Sequence, residues 1–406
     1  MFDNGQHVFL RCCTAYRALL ARLGSAHHVH LQPRLDIPVL APGERPVRLR
    51  RSTLPAPLHL AGALATYRHL APRERLSAAL AARALGRLDP ADEALDERTL
   101  GSFLEQHRQS PRALAALWDL VALPTLNLPA AHASLALGAF VFKTGLLSSA
   151  DGGDIGFHVG TLAQTICEPA ERALRGAGAD VRLGWRAEEL SAGAGAFEVR
   201  AAADALGADV VIVAVSHTRA GALLAPLLPR LGASLERLGS SPIVNLHVVY
   251  DRRVCEERFA AGVDTPVQYV FDRTGAGGAP AGSQYLAVSL SGAAREMAMS
   301  AEELREAYLP ALAELFPRAR SARVLHFLAT REHAATFASL PGVGALRPGV
   351  QTEIPGLVLA GTYTDTGWPA TLEGAVRSGH EAARVALDGL EPARPHYEAV
   401  AREAES

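Results

Sequence analysis

Four cysteines in 406 residues are too few and too scattered to frame a small disulfide-stapled fold. Cys12 and Cys13 are adjacent, Cys167 and Cys255 are isolated, and none has metal-ligand spacing, so they read as small buried apolar side chains. Charge of one sign is lacking too. The 40 basic and 42 acidic residues are interspersed and sum to −2, which argues against nucleic acid and against an anionic bilayer as electrostatic partners. No basic segment followed by an apolar stretch opens the chain, so a cytoplasmic location is expected. The most apolar region, 113–142, is interrupted by Asp119, Pro124, Asn127, Pro129 and His132, which excludes a clean spanning helix of ~20 apolar residues. It reads either as core helices or as a face for peripheral membrane docking and substrate entry. His27, His28 and His30 lack a carboxylate or cysteine at useful spacing, so no metal is expected.

A glycine-rich phosphate-binding turn is also missing. Gly176-Ala-Gly178, Gly193-Ala-Gly195 and Gly275-Ala-Gly-Gly278 do not follow a strand and open a helix, so none is a dinucleotide fingerprint.

What is present reads as a globular enzyme, 49% hydrophobic, able to bury one large core or two ordinary ones. Alanine- and leucine-rich stretches at 58–69, 73–85, 99–109 and 113–123 predict a helical insertion. From His158 onward the texture is α/β: a helix over 160–175, short strands at 181–183 and 197–201, and a β-branched run at 208–215 that suits a strand buried on both faces. Strand-like segments at 243–250, 267–271, 285–290 and 322–329 predict an antiparallel sheet. A short buried strand at 356–361, a loop and a helix over about 369–387 follow.

This last segment carries the chemistry. Pro369 suits a first helical position, small Ala370 leaves room for a flat ligand, and the free N–H groups of Thr371 and Leu372 would face negative charge at a helix amino terminus. Its order, Trp368-Pro-Ala-Thr-Leu-Glu-Gly-Ala-Val-Arg-Ser-Gly379, resembles the carboxy-terminal flavin motif of the amine-oxidase and phytoene-desaturase superfamily. Phe2-Asp-Asn-Gly-Gln-His7, Arg331-Glu-His-Ala-Ala-Thr-Phe337, and Arg347-Pro348 ahead of Ile354-Pro-Gly356 are similar to the hydroxysqualene dehydroxylase branch of that superfamily.

The resemblance implies an α/β fold: an FAD-binding Rossmann-like domain (1–30, 152–230, 340–392) lacking its first βαβ unit, a substrate domain of antiparallel sheet plus helices (31–151, 231–339), and a tail, 393–406. On that basis the isolated chain is expected to hold FAD weakly and to expose a sheet edge. The resemblance implies that Gly361, Thr362, Ala370, Thr371 and Leu372 contact FAD and that the Ala187 backbone contacts its adenine end. Thr362 stands where many relatives carry an acidic residue. The implied reaction is reductive dehydroxylation of an isoprenoid lipid, with carotenoid desaturation, amine oxidation and a non-catalytic remnant as alternatives. His7, Gln6 and Asp3 are the catalytic candidates, His7 because imidazole titrates near neutrality. Tyr363 and Trp368 are candidates for the substrate tunnel.

Overall fold

A computed structural model describes residues 3–390 except 194–195, 203 and 277. Phe2, Gly195, Gly277 and the expected tail 393–406 lie outside the described residues. The chain divides into two compact units. One comprises the amino-terminal part to Val181, Gly239–Gly344 and Gly367–Glu373; the other comprises Arg182–Leu238, Ala345–Thr366 and the residues from Gly374 onward. This division differs from the expected domains in placing 1–30 and 152–181 in the larger unit. Val8–Leu10 and Val29–Leu31 both pair antiparallel with Ile155–His158, and this small sheet is joined to the rest of the larger unit by Asp3–Arg273, by Asn245 donating to the Asn4 carbonyl and by Phe157 packing against Phe259.

The larger unit is built on a seven-stranded sheet. Its spatial order is Val324–Thr336, Ser241–Tyr250, Gln284–Ser291, Tyr269–Asp272, Phe259–Gly262, Asp36–Leu40 and Val47–Arg50. All neighbours are antiparallel except Phe259–Gly262 with Asp36–Leu40. The expected antiparallel sheet is therefore present, extended by strands that short or proline-containing sequences conceal. Val244, Leu246, Val248, Leu286, Val288 and Leu290 bury one face beneath the helix Ala301–Leu315, whose amino end is closed by a reciprocal Ser300–Glu303 capping box.

The helical insertion is also observed, with helices Pro72–Leu85, Leu100–Gln106, Asp119–Leu126 and Leu135–Phe142. Of the two readings of 113–142, core packing accounts for Trp118, Leu120, Leu126, Leu135 and Phe142, which are buried. Pro124 lies inside its helix and leaves the Leu120 carbonyl without an amide partner; the Tyr269 hydroxyl donates to that oxygen instead (2.8 Å). Among the described residues no helix is long and apolar enough to cross a membrane.

The smaller unit holds a parallel pair, Leu357–Leu359 with Val211–Val213, and an antiparallel meander, Glu189–Ala192, Phe197–Ala201 and Asp204–Ala208. Two expectations fail here. Val181 and Arg182 lie in irregular chain and Leu183 begins a turn with Gly184, so no strand forms at 181–183. The run at 208–215 is not one continuous strand: Ala208 ends the meander, Val211–Val213 forms the parallel strand, and Ile212 is exposed because the two-stranded sheet leaves one face uncovered.

Candidate functional site

Asp3 to His7 is pinned at both ends by buried polar partners within the larger unit. The Asp3 carboxylate pairs with Arg273 (2.8 Å) and accepts the Leu162 N–H (3.0 Å). Arg273, itself buried, also donates to the carbonyls of His158 (2.5 Å) and Gly160 (3.1 Å). A buried guanidinium needs several acceptors to offset its desolvation, and three are supplied. Asp3 is thus an anchor for the stretch. The Asn4 carbonyl accepts from Asn245 Nδ2 and Thr330 Oγ1 (both 2.7 Å). Gly5 crosses Asn245 so closely that an added Cβ would lie 2.5 Å from Nδ2.

The surrounding histidines have defined hydrogen-bond directions. His158 Nδ1 lies 3.0 Å from the His7 carbonyl, which can only accept, so Nδ1 carries the proton and Nε2 accepts from the Tyr16 hydroxyl (2.6 Å). Burial pushes the His158 pKa down to about 4, keeping it neutral. Thr330 donates to Asn4, so it accepts from His247 Nε2–H (3.0 Å), and His247 Nδ1 accepts from Tyr285 Oη–H (2.6 Å). His247 is likewise lowered to about 4, chiefly by burial.

Among the described residues, two buried polar atoms in this cluster have no hydrogen-bond partner: Gln6 Oε1 and His7 Nδ1. Gln6 uses its amide nitrogen on the His7 carbonyl (2.8 Å), which leaves the oxygen free. Each buried hydrogen bond left unmade costs ~1–3 kcal/mol, so adjacent orphans mark a place shaped for a polar ligand group. Burial also lowers the His7 pKa, with Asp3 pulling partly the other way.

The carboxy-proximal segment is tied to this cluster through Glu373. The helix begins at Leu372, so Pro369 is not its first residue; Thr371 immediately precedes it, where a hydroxyl side chain is favoured. Glu373 is fully buried and accepts the amides of Ala15 (3.0 Å) and Tyr16 (2.7 Å). These belong to the first turn of the helix Thr14–Arg22, whose own Cys13 supplies no side-chain cap. A continuous path therefore runs from Glu373 to Tyr16, to His158 and to the His7 carbonyl. Trp368 packs edge-on against Phe140 (5.0 Å) in the same unit.

In the smaller unit, Gly361 takes φ +145° and donates its N–H to Ser378 Oγ (2.8 Å); a Cβ there would meet the Tyr363 ring at 2.7 Å. Buried Arg347 donates to the carbonyls of Tyr363 (3.4 Å) and Thr364 (2.6 Å) and shapes the loop around Thr362. Tyr363, a tunnel candidate, is buried, and its hydroxyl donates to Val213 O (3.3 Å). The Ala187 carbonyl accepts from Arg219 (2.5 Å). Sequence reasoning missed Tyr16, His158, His247, Arg273 and the capping role of Glu373. Only Glu373 stood inside a motif that could have drawn attention to it.

The model of a family described as flavin containing amine oxidoreductase matches residues 1–387. A hydroxysqualene dehydroxylase of Sinorhizobium fredii is 32% identical over 229 residues, 56% of this chain and 51% of its own length. One from Rhodopseudomonas palustris is 58% identical over 57 residues, 14% of each chain. The chain thus spans about half the length of the first of these relatives and less of the second. A solved cyclohexylamine oxidase from Brevibacterium oxydans shares the fold, with TM-score 0.68 at 18% identity over 95% of this chain and 87% of its own.

Proposed function

Because the chain belongs to the flavin-containing amine oxidoreductase family and has its α/β fold and FAD cofactor, we propose that it catalyses reductive dehydroxylation of an isoprenoid alcohol, hydroxysqualene to squalene. The observation that carries this reading is the pair of unpartnered atoms, Gln6 Oε1 and His7 Nδ1, on a stretch hydrogen-bonded through His158 and Tyr16 to the flavin motif at Glu373. The orphaned polar atoms fit a bound polar group, and we assign the flavin to Gly361, Thr362, Ala370, Thr371 and Leu372, with the Ala187 backbone toward its adenine end.

The net change replaces C–OH by C–H and releases water, which consumes one hydride equivalent and one proton. A bound reduced flavin supplies the hydride equivalent. This chain's residues hold the hydroxyl: Gln6 Oε1 accepts a hydrogen bond from its O–H, while His7 Nδ1–H donates to its oxygen and passes over the proton that completes water as the C–O bond breaks, His7 being reprotonated from solvent. Asp3 and Arg273 orient both groups without touching substrate. The apolar remainder of the substrate has no need of further polar contacts.

The test is anaerobic incubation with hydroxysqualene, FAD and dithionite, with extracted lipids analysed by gas chromatography and mass spectrometry. Squalene is expected, with His7→Ala and Gln6→Ala each lowering kcat on the order of 10²-fold. A flavin-loaded protein that yields no squalene, or that introduces double bonds into supplied phytoene instead, defeats the assignment.

A further inference from the structure

The balanced total charge conceals a local imbalance. Between Ser52 and Leu88 there are five arginines against a single acid, Glu74. Glu74 is engaged locally, accepting from the Ala71 N–H (2.8 Å) and the Ser110 hydroxyl (2.5 Å). Arg75 donates to the carbonyls of Leu70 and Ala65. Arg68, Arg73, Arg83 and Arg87 are exposed and form no ion pair among the described residues.

Large apolar side chains are exposed in the same segment. Leu76 is 65% and Leu80 59% exposed on the helix Pro72–Leu85, while Leu54 and Leu58 are 51% and 56% exposed on the preceding loop and turn. Successive residues of a helix turn by 100°, so Arg73, Leu76, Leu80 and Arg83, at i, i+3, i+7 and i+10, share one outer face. The opposite face buries Ala78, Ala81 and Leu85. An amphipathic helix normally shows water its polar side. This one buries its small residues and presents leucines flanked by cations, beside the short helix Ala61–Ala65 that packs against it.

We infer that this face docks on an anionic lipid bilayer, with Leu76 and Leu80 entering the headgroup boundary and Arg73, Arg83, Arg68 and Arg87 meeting lipid phosphates. Charge complementarity selects this occupant: isolated leucines on a soluble surface need no explanation, but four exposed leucines accompanied by four unpaired arginines match the two attractions that hold a peripheral helix at an anionic surface. The inference is independent of the proposed chemistry, because none of these residues belongs to the polar cluster.

The experiment is co-sedimentation of the full chain with vesicles of phosphatidylcholine alone or mixed with phosphatidylglycerol. The chain is expected to pellet with the mixed vesicles, and less at high salt. Leu76→Asp with Leu80→Asp should weaken partition at least tenfold, and each of Arg73→Gln and Arg83→Gln about fivefold. All four positions are exposed, so melting and flavin content should be unchanged; Leu76→Ser with Leu80→Ser serves if the aspartates disturb folding. A chain that stays in the supernatant with both vesicle types, or a double variant that pellets like the parent, overturns the inference. So does a chain dimer that the same leucine variants dissociate without vesicle binding, which would make a second copy the occupant. Turnover of detergent-dispersed hydroxysqualene separates the two readings: vesicle binding lost with turnover intact rejects the surface alone, and the reverse rejects the chemistry alone.

Discussion

Glu373→Ala should be among the most damaging single changes outside the flavin contacts. The helix Thr14–Arg22 has no acidic residue in its first turn and no side-chain cap at Cys13, so the amides of Ala15 and Tyr16 depend on the Glu373 carboxylate at 3.0 and 2.7 Å. Hydrogen bonds to a charged group contribute ~1.5–3 kcal/mol each, and the Tyr16 donor is buried while that of Ala15 is half-buried, so the loss is ~3–6 kcal/mol. Glu373→Gln keeps one acceptor oxygen but turns an amide NH₂ toward the second donor, and should cost ~1–3 kcal/mol. Urea unfolding followed by circular dichroism gives these differences directly. Hydrogen exchange at Ala15 and Tyr16 reports whether the loss is local, and the proposed dehydroxylation should fall with it, since Tyr16 carries His158 and thereby the His7 carbonyl. An alanine variant within ~0.5 kcal/mol of the parent, with unchanged exchange at these amides, would refute the capping argument.

Three other outcomes are expected. His158 and His247, both near pKa 4 in the folded chain against an ordinary 6.5, stay neutral when folded while the unfolded chain takes up protons. Their contribution is therefore full above pH 6.5 and lost as pH falls toward 4, by a few kcal/mol apiece, visible as a declining urea midpoint that is flatter in His247→Asn. Gly5→Ala forces a methyl against Asn245 and should cost ~1–3 kcal/mol by overpacking, with a drop in kcat when turnover is measured beside the melt. Arg347→Ala removes the buried donor to the Tyr363 and Thr364 carbonyls and should lower both the melting temperature and the flavin absorbance per mole of chain, whereas an unchanged flavin content would separate the loop from cofactor binding.

Much of the architecture could be read locally. Alternating β-branched residues mark Ser241–Tyr250 and Gln284–Ser291, and alanine–leucine periodicity marks Pro72–Leu85, because these elements bury their faces as local pattern predicts. The strand at 208–215 was over-read for a related reason: a β-branched run signals burial on both faces, but burial depends on neighbours that lie elsewhere in the chain. Asp36–Leu40 contains Pro38, which argues against a strand in isolation, yet the chain pairs there on both sides.

The site was legible in its pieces and not in its connections. Asp3 and Arg273 are 270 positions apart, and Tyr16 and Glu373 are separated by 357, so no local pattern announces either pair. The flavin motif shows why such pairs matter. Glu373 caps a distant helix, Ser378 holds Gly361, Arg347 holds the loop at Tyr363 and Thr364, and Tyr363 packs against Val213. A dense residue pattern at this place thus includes buried polar side chains that satisfy backbone groups far away in sequence. A carboxylate inside such a motif is then better tested first as a structural acceptor, and the search for reacting groups turned to the polar atoms of this cluster left without partners among the described residues, which are on Gln6 and His7.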